Sequence, residues 1–176
     1  MSHFCVFILR RVECLEHLKK LLCSCADKHE CGVYFNPKNG LLAMNNFKLK
    51  QNDFVFIATD KMNSDDASLL LSYDGMTVNG MRPVYPLARR LKAIQEMAKI
   101  SIDSSSSVDI YLSDDNPFLP DYISYTVSYN QIADILFQEY KKESISPILP
   151  NVHISVKRKT KDTKRRQGTV KKTGDG

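Results

Sequence analysis

The chain has 176 residues, of which 43% are hydrophobic, and it carries 25 Lys and Arg against 20 Asp and Glu. This is the composition of a globular protein with one core, and seven Gly and seven Pro exclude collagen-like and wholly low-complexity chains. The apolar runs are far shorter than the roughly 18 residues of a membrane-spanning helix. The first eleven residues place two Arg after an apolar run, the reverse of a signal peptide. We therefore expect a cytoplasmic protein, or a nuclear one if the host has a nucleus.

The net charge of +5 comes from the last part of the chain. Residues 157–176 hold nine Lys or Arg and two Asp, which leaves 16 basic and 18 acidic groups for residues 1–156. No apolar residue recurs in this basic segment, so nothing would hold it on a core. The sequence predicts a single domain at 1–156 and a disordered basic tail at 157–176.

The first half of the chain reads as a strand, a helix and a series of further strands. In chain order, the patterns predict a strand at 3–9, a helix whose apolar residues stand at 15, 18, 22 and 25, a hairpin with strands 32–36 and 41–50, a strand at 54–59, and a short helix at 67–71. The Asn39-Gly40 pair is the turn signal of the hairpin.

The second half contains the more regular helix patterns. It predicts a helix at 86–99, strands at 108–112 and 122–129, a helix with apolar residues from 132 to 140, and a last strand at 152–156. Ser128 or Asn130 can cap the helix that follows them. Short connections between the strands favour an α+β fold, in which two or three amphipathic helices pack on one side of a mainly antiparallel sheet.

All five cysteines lie within the first 31 residues, and an odd number without an export signal favours reduced thiols. Cys23, Cys25, His29 and Cys31 offer the ligand types that zinc takes. Their spacing differs from that of familiar zinc fingers and knuckles, and Cys25 also belongs to the apolar helix stripe. The sequence therefore predicts no metal, and a zinc-stabilised module stays an alternative.

The common catalytic signatures are absent from the sequence. It contains neither a Gly-x-Ser-x-Gly turn nor a phosphate-binding glycine loop. The Glu-x-Lys match at Glu139-Tyr140-Lys141 falls on a predicted helix, whereas a metal-dependent nuclease needs strand-borne acids. We predict a non-enzymatic protein without a cofactor, and an active site assembled from scattered residues is the alternative.

A loop between two predicted strands combines acids, aromatic residues and two prolines. The prolines lower the entropy lost on docking, the aromatic rings could anchor a partner, and the acids could steer a basic one. The alternative is a simple connecting loop whose Phe118 packs into its own core. The predicted partner-binding residues are Asp114, Asp115, Phe118, Asp121 and Tyr122.

From 108 to 149 the chain resembles small bacterial immunity proteins that neutralise toxins. The resemblance is carried by the strand at 108–112, the Ser-Asp-Asp-Asn-Pro loop, the Tyr-rich strand and the helix that contains Phe137-Gln138-Glu139-Tyr140. It implies a single α+β domain that caps a toxin's active site and catalyses nothing. The basic tail departs from this family pattern.

A nucleic-acid-associated factor is the second functional hypothesis, because a dense basic cluster attracts polyanions. The tail has no aromatic residue that could stack on bases, so such binding would be sensitive to salt and poor at reading sequence. The residues that would contact phosphate are Lys157, Arg158, Lys159, Lys161, Lys164, Arg165 and Arg166. Under either hypothesis, we expect no binding to a membrane.

Overall fold

Strands and helices follow one another in nearly the order that the sequence predicts. The computed structural model describes residues 2–36, 49–60, 71–72, 87–114, 122–141 and 151–158. The strands in these ranges are β1 (Ser2–Arg10), β2 (Cys31–Phe35), β3 (Phe54–Asp60), β4 (Leu71–Ser72), β5 (Ser107–Asp114), β6 (Ile123–Val127) and β7 (Val152–Val156). The helices are α1 (Leu15–Lys28), α2 (Leu87–Asp103) and α3 (Ile132–Lys141), and a 3-10 turn at Tyr129–Gln131 precedes α3.

The six longer strands form one sheet in the order β2-β3-β1-β5-β7-β6, and β4 pairs with the first residues of β1. Neighbouring strands are antiparallel except β6 and β7, which run parallel. The three helices pack against this sheet. The predicted α+β class with a mainly antiparallel sheet is thus confirmed. None of the helices in the described ranges is long and apolar enough to cross a membrane.

Strand β1 lies inside the sheet, with β3 and β5 on either side, and this position explains its sequence. Five consecutive residues, from Cys5 to Leu9, are buried. Because side chains alternate across a strand, Cys5, Phe7 and Leu9 enter the core under the helices, whereas Val6 and Ile8 lie on the opposite face. A strand covered on both faces has to be apolar throughout, as β1 is.

The helix-side core is built from one apolar stripe of each helix. Leu18 and Leu22 of α1, Ile94 and Met97 of α2, and Leu136 of α3 are all fully buried in it. Their spacing of three or four residues places each set on one face of its helix. Burial of these stripes against the sheet holds the helices on that side of the fold.

Helix α2 continues four residues beyond its predicted end at Lys99. Ile102 extends the buried stripe and is only 2% exposed, so another turn of helix adds apolar area to the buried face. Ser105 then closes the helix, since its hydroxyl donates to the Ser101 carbonyl at 2.7 Å.

Two predicted elements are wrong where the structure describes them. Residues 49–50 are not strand, because Asp53 and Lys50 form a turn in which the Lys50 N–H donates to the Asp53 carboxylate at 2.9 Å. Leu71, which we predicted at the end of a short helix, lies in β4 beside β1. The rest of that predicted helix and residues 41–48 of the predicted hairpin lie outside the described residues.

The start of α3 follows the predicted capping. Ser128 is in extended backbone just before the 3-10 turn, and its N–H donates to the side-chain oxygen of Gln131 at 3.2 Å. Further along α3, Glu139 is buried and accepts a hydrogen bond from the Tyr125 hydroxyl at 2.6 Å. This bond joins α3 to β6. The Glu139-Tyr140-Lys141 match lies on a helix, as predicted.

Candidate functional site

The sheet face opposite the three helices carries a continuous row of side chains from all six strands. Residues paired across neighbouring strands share a face, so the register defines the row. Its members, from one edge of the sheet to the other, are Tyr34, Ile57, Val6, Tyr111, His153 and Ser124. A second row on the same face holds Val55, Ile8, Asp109, Ser155 and Thr126. We call the surface formed by these two rows the outer face.

The outer face has an apolar half and a polar half. The apolar half, on β1 and β3, consists of Val6, Ile8, Val55 and Ile57, which are buried and form a cluster separate from the helix-side core. Tyr111 packs against this cluster and marks the boundary with the polar half on β5, β7 and β6.

The polar half is organised around His153. Its Nε2 lies 2.9 Å from Oδ1 of Asp109 on the neighbouring strand, and its Nδ1 lies 3.3 Å from Oγ of Ser124. The Tyr111 ring stacks on the imidazole with 4.4 Å between centroids, and Tyr122 meets Tyr111 edge to face at 5.5 Å. Hydrogen bonds on two sides and a stacked ring therefore hold the imidazole in one orientation.

The charges around this cluster stabilise the ionised form of Asp109. The hydrogen bond from His153 holds the pKa of the Asp109 carboxyl below its usual value, with help from the positive charge of Arg10 and a hydrogen bond from Ser155, although partial burial opposes them. Burial and the neighbouring Asp109 charge raise the pKa of Tyr111. The carboxylate is thus a fixed negative charge of the outer face, and Tyr111 remains a neutral hydroxyl.

The lowered pKa of Asp109 predicts an acid-dependent loss of stability. A carboxyl whose pKa is lower in the folded state stabilises the fold above its ordinary pKa of 3.8, and this contribution disappears as the pH falls through the folded-state pKa. We expect Asp109→Asn to lower the urea midpoint at pH 7 and to flatten its decline below about pH 4. Urea titrations at a series of pH values from 7 down to about 2.5 measure both effects, because a carboxyl with a lowered pKa becomes protonated towards the acid end of this range.

The matched control for that titration is Asp103→Asn. Asp103 pairs with Lys99 at 2.8 Å in an exposed i, i+4 contact, which contributes little to stability. The control should keep the wild-type profile. An Asp109→Asn profile that also matches wild type would contradict the proposed role of the Asp109 and His153 pair.

Ser124, His153 and Asp109 are the residue types of a hydrolase triad, but their surroundings differ from those of a nucleophilic serine. Ser124 lies within a strand, where the Ile123 N–H donates to the Asn151 carbonyl and the pairing with β7 continues to Val127. Because β6 is the edge strand of the sheet, only alternate N–H groups, beginning with that of Ile123, are engaged in this ladder.

The predicted contact loop follows β5 and ends beside the outer face. Asp114 is the last residue of β5, and Tyr122 is half-buried against Tyr111. Asp115, Phe118 and Asp121 lie outside the described residues. The structure therefore places the returning end of the loop, at Tyr122, next to the His153 cluster, which the sequence did not connect with it.

The basic tail starts at the sheet edge formed by β6 and β7. Lys157 and Arg158 are exposed, and the Lys157 N–H donates to the Val127 carbonyl at 3.0 Å. The other residues that we predicted to contact phosphate lie outside the described residues; they are Lys159, Lys161, Lys164, Arg165 and Arg166.

A second cluster lies on the helix side. Sγ of Cys25, a ring nitrogen of His29 and a carboxylate oxygen of Glu96 are all within 4.8 Å of one another. The sequence grouped Cys25 and His29 with Cys23 and Cys31, whereas the structure leaves Cys23 exposed and brings in Glu96 from α2. None of the five cysteines forms a disulfide bond.

Sequence reasoning recovered part of the outer face and missed its centre. The alternation at 108–112 placed Asp109 and Tyr111 on one face of a strand, and this is confirmed. His153 carried no local signal, because its neighbours on β5 and β6 are 44 and 29 residues away in the chain. Only the strand pairing brings these residues together.

The chain is an α+β protein with a polar and aromatic cluster on the sheet face opposite its helices. Comparisons with protein-family models, with curated proteins and with solved structures give no match. A function therefore has to be inferred from the residues of this chain.

Proposed function

We propose that this protein is a non-enzymatic binding protein that takes a partner protein on the polar half of the outer face, around His153, and acts as an antitoxin-like inhibitor. The observation that carries the proposal is the cluster of Tyr111, His153 and Tyr122. Tyrosine is enriched among the residues that contribute most to protein interfaces, because its ring is apolar and its hydroxyl can form a hydrogen bond.

The cluster is held in place before a partner arrives. His153 is fixed by Asp109 and Ser124 and is stacked on Tyr111, so little side-chain freedom would be lost on binding. Ser124 is exposed at the edge of the cluster and adds a hydroxyl that can bond to a partner. A rigid aromatic centre with a polar border matches the anatomy of a specific protein interface.

The acidic residues of the loop that precedes Tyr122 favour a basic partner surface. The loop that leaves β5 and returns at Tyr122 contains Asp114, Asp115 and Asp121 and has no basic residue. Residues 1–156 also have more acidic than basic groups. Complementary charge speeds association and disfavours acidic partners. A basic toxin whose active site the outer face covers would fit both features and the resemblance to immunity proteins.

Affinity capture from the native host tests this function. The bait is the full chain, compared with His153→Ala and with the loop variant Asp115→Ala/Phe118→Ala. The matched control is His17→Ala, which removes an exposed imidazole from α1 on the other side of the sheet. We expect wild type and the His17 variant to capture the same basic protein, and both other variants to lose most of it.

Two outcomes would contradict the proposal. In the first, the His153 variant is folded by circular dichroism and captures the protein as well as wild type does. In the second, the recovered partner is nucleic acid, and its capture disappears when Lys159, Lys161, Lys164, Arg165 and Arg166 are replaced by Gln. That second result would support a nucleic-acid-associated factor.

A further inference from the structure

The cluster on the helix side joins the end of α1 to the middle of α2. Cys25 and His29 are four residues apart, so they share one face at the C-terminal end of α1, where His29 caps the helix and its N–H donates to the Cys25 carbonyl. Glu96 lies on α2, and its Oε2 is 2.6 Å from Nε2 of His29. Packing of α1 on α2 therefore brings a thiol, an imidazole and a carboxylate to one point.

We propose that Cys25, His29 and Glu96 form a metal site that binds Zn²⁺ and links α1 to α2. Zinc takes Cys, His and carboxylate ligands in tetrahedral sites, and three protein ligands leave the fourth position for water or another donor. The thiolate ligand disfavours Mg²⁺ and Ca²⁺, which prefer oxygen donors. This site is separate from the outer face, so it can be tested independently of the proposed partner.

The surroundings of the cluster suit a bound cation. The Cys25 residue is 3% exposed and the His29 side chain 12%, whereas the Glu96 side chain is 34% exposed and leaves an opening to solvent. The cluster also lies at the end of α1 where the carbonyl groups point outward, and this end of a helix favours positive charge.

Lys28 supplies part of the positive charge that a bound metal would place against Glu96. Its Nζ lies 2.9 Å from both carboxylate oxygens of Glu96, and the hydrogen bonds from His29 and Lys28 lower the pKa of Glu96. A divalent ion would place two positive charges against the same carboxylate, so Lys28 competes with it. Lys28 is well exposed and can move into solvent when the ion binds.

Metal binding at this site releases a proton. A thiol coordinates zinc as a thiolate, so the Cys25 side chain has to lose its proton when the ion binds. In the binding step the S–H bond breaks, a Zn–S bond forms and the proton passes to buffer. No electron is transferred. The affinity should therefore rise with pH.

The test is calorimetric titration of the chelator-stripped full chain with zinc chloride, repeated in buffers of different ionisation enthalpy. We expect submicromolar binding of one ion per chain with release of at least one proton. Substitution with Co²⁺ should give the charge-transfer absorption of a thiolate ligand. Circular dichroism before each titration shows whether a variant is folded.

Four variants distinguish this site from binding elsewhere on the chain. Cys25→Ser and the nearly isosteric Glu96→Gln should each weaken binding by more than the roughly 10- to 100-fold that loss of a supporting group costs. The control Cys23→Ser, which removes an exposed thiol from the same helix, should bind as wild type does. Lys28→Met should bind up to about fivefold more tightly, because a competing exposed ion pair is gone.

Three results would overturn the site. The first is no heat of binding at micromolar Zn²⁺. The second is wild-type affinity in a folded Cys25→Ser or Glu96→Gln variant, which would place the ion elsewhere on the chain. The third is weaker binding in Lys28→Met, which would mean that Lys28 supports the bound state instead of competing with it.

Discussion

Replacing Phe7 by Ala should lower the free energy of unfolding by about 3–5 kcal/mol, the cost typical of Phe truncation in a core. Phe7 is fully buried in the helix-side core and stacks on Phe56, with 4.4 Å between ring centroids and 10° between ring planes. Truncation removes this contact and leaves a cavity between β1, β3 and the helices, which a rigid sheet cannot refill. Urea denaturation followed by circular dichroism measures the loss.

Two further variants serve as references for the size of this stability loss. Phe7→Leu keeps most of the side-chain volume and should cost less than Phe7→Ala. Tyr34→Ala removes an aromatic ring that is 44% exposed at the sheet edge, and its effect should be the smallest of the three. A Phe7→Ala variant no less stable than Tyr34→Ala would contradict the placement of β1 inside the sheet. Since a domain is stable by only about 5–15 kcal/mol, Phe7→Ala is also the variant closest to unfolding.

Tyr111→Ala should reduce the affinity for the captured partner by about 30-fold or more, which corresponds to a residue that contributes at least about 2 kcal/mol to binding. Tyr111 supports the outer face in three ways. It stacks on His153, it meets Tyr122 edge to face, and it packs against the apolar half of the face. Its removal therefore loosens the whole cluster as well as deleting one contact. Titration calorimetry with the purified partner measures the change.

The matched control for Tyr111 is Tyr129→Ala. Tyr129 is also half-buried, but it packs against the helix-side core with Lys99 over its ring at 5.8 Å. Its loss should cost stability without a comparable loss of affinity, when both variants are measured well below their unfolding temperatures. Equal affinity losses in the two variants would mean that the outer face is not the contact surface.

Most of the elements could be predicted because their signals are local. The apolar residues of α1 recur at the helix interval, and β7 was predicted with its observed bounds, Val152–Val156, from a short apolar alternation. The failures came where tertiary contacts outweigh the local pattern. Leu71 pairs with β1 rather than ending a helix, and α2 runs on to bury Ile102.

The two candidate sites show the same limit more clearly. The apolar helix stripe identified Cys25, and the short spacing identified His29, but their partner Glu96 lies on another helix, 67 residues beyond His29. On the outer face, Asp109 and Tyr111 were placed together, while His153 was taken only as part of a last strand. In each case the missing residue belongs to an element that is distant in the chain.

The sequence by itself determined the α+β class, the alternation that puts Asp109 and Tyr111 on one face, the uneven distribution of charge and the clustering of thiols near the beginning of the chain. These are properties of composition and of periods of two to four residues, which adjacent residues set. Only the tertiary structure decided that His153 joins Asp109 and that Glu96 joins Cys25 and His29. Such meetings depend on which strands pair and which helices pack, and the energy that selects them comes from burying apolar faces far apart in the chain.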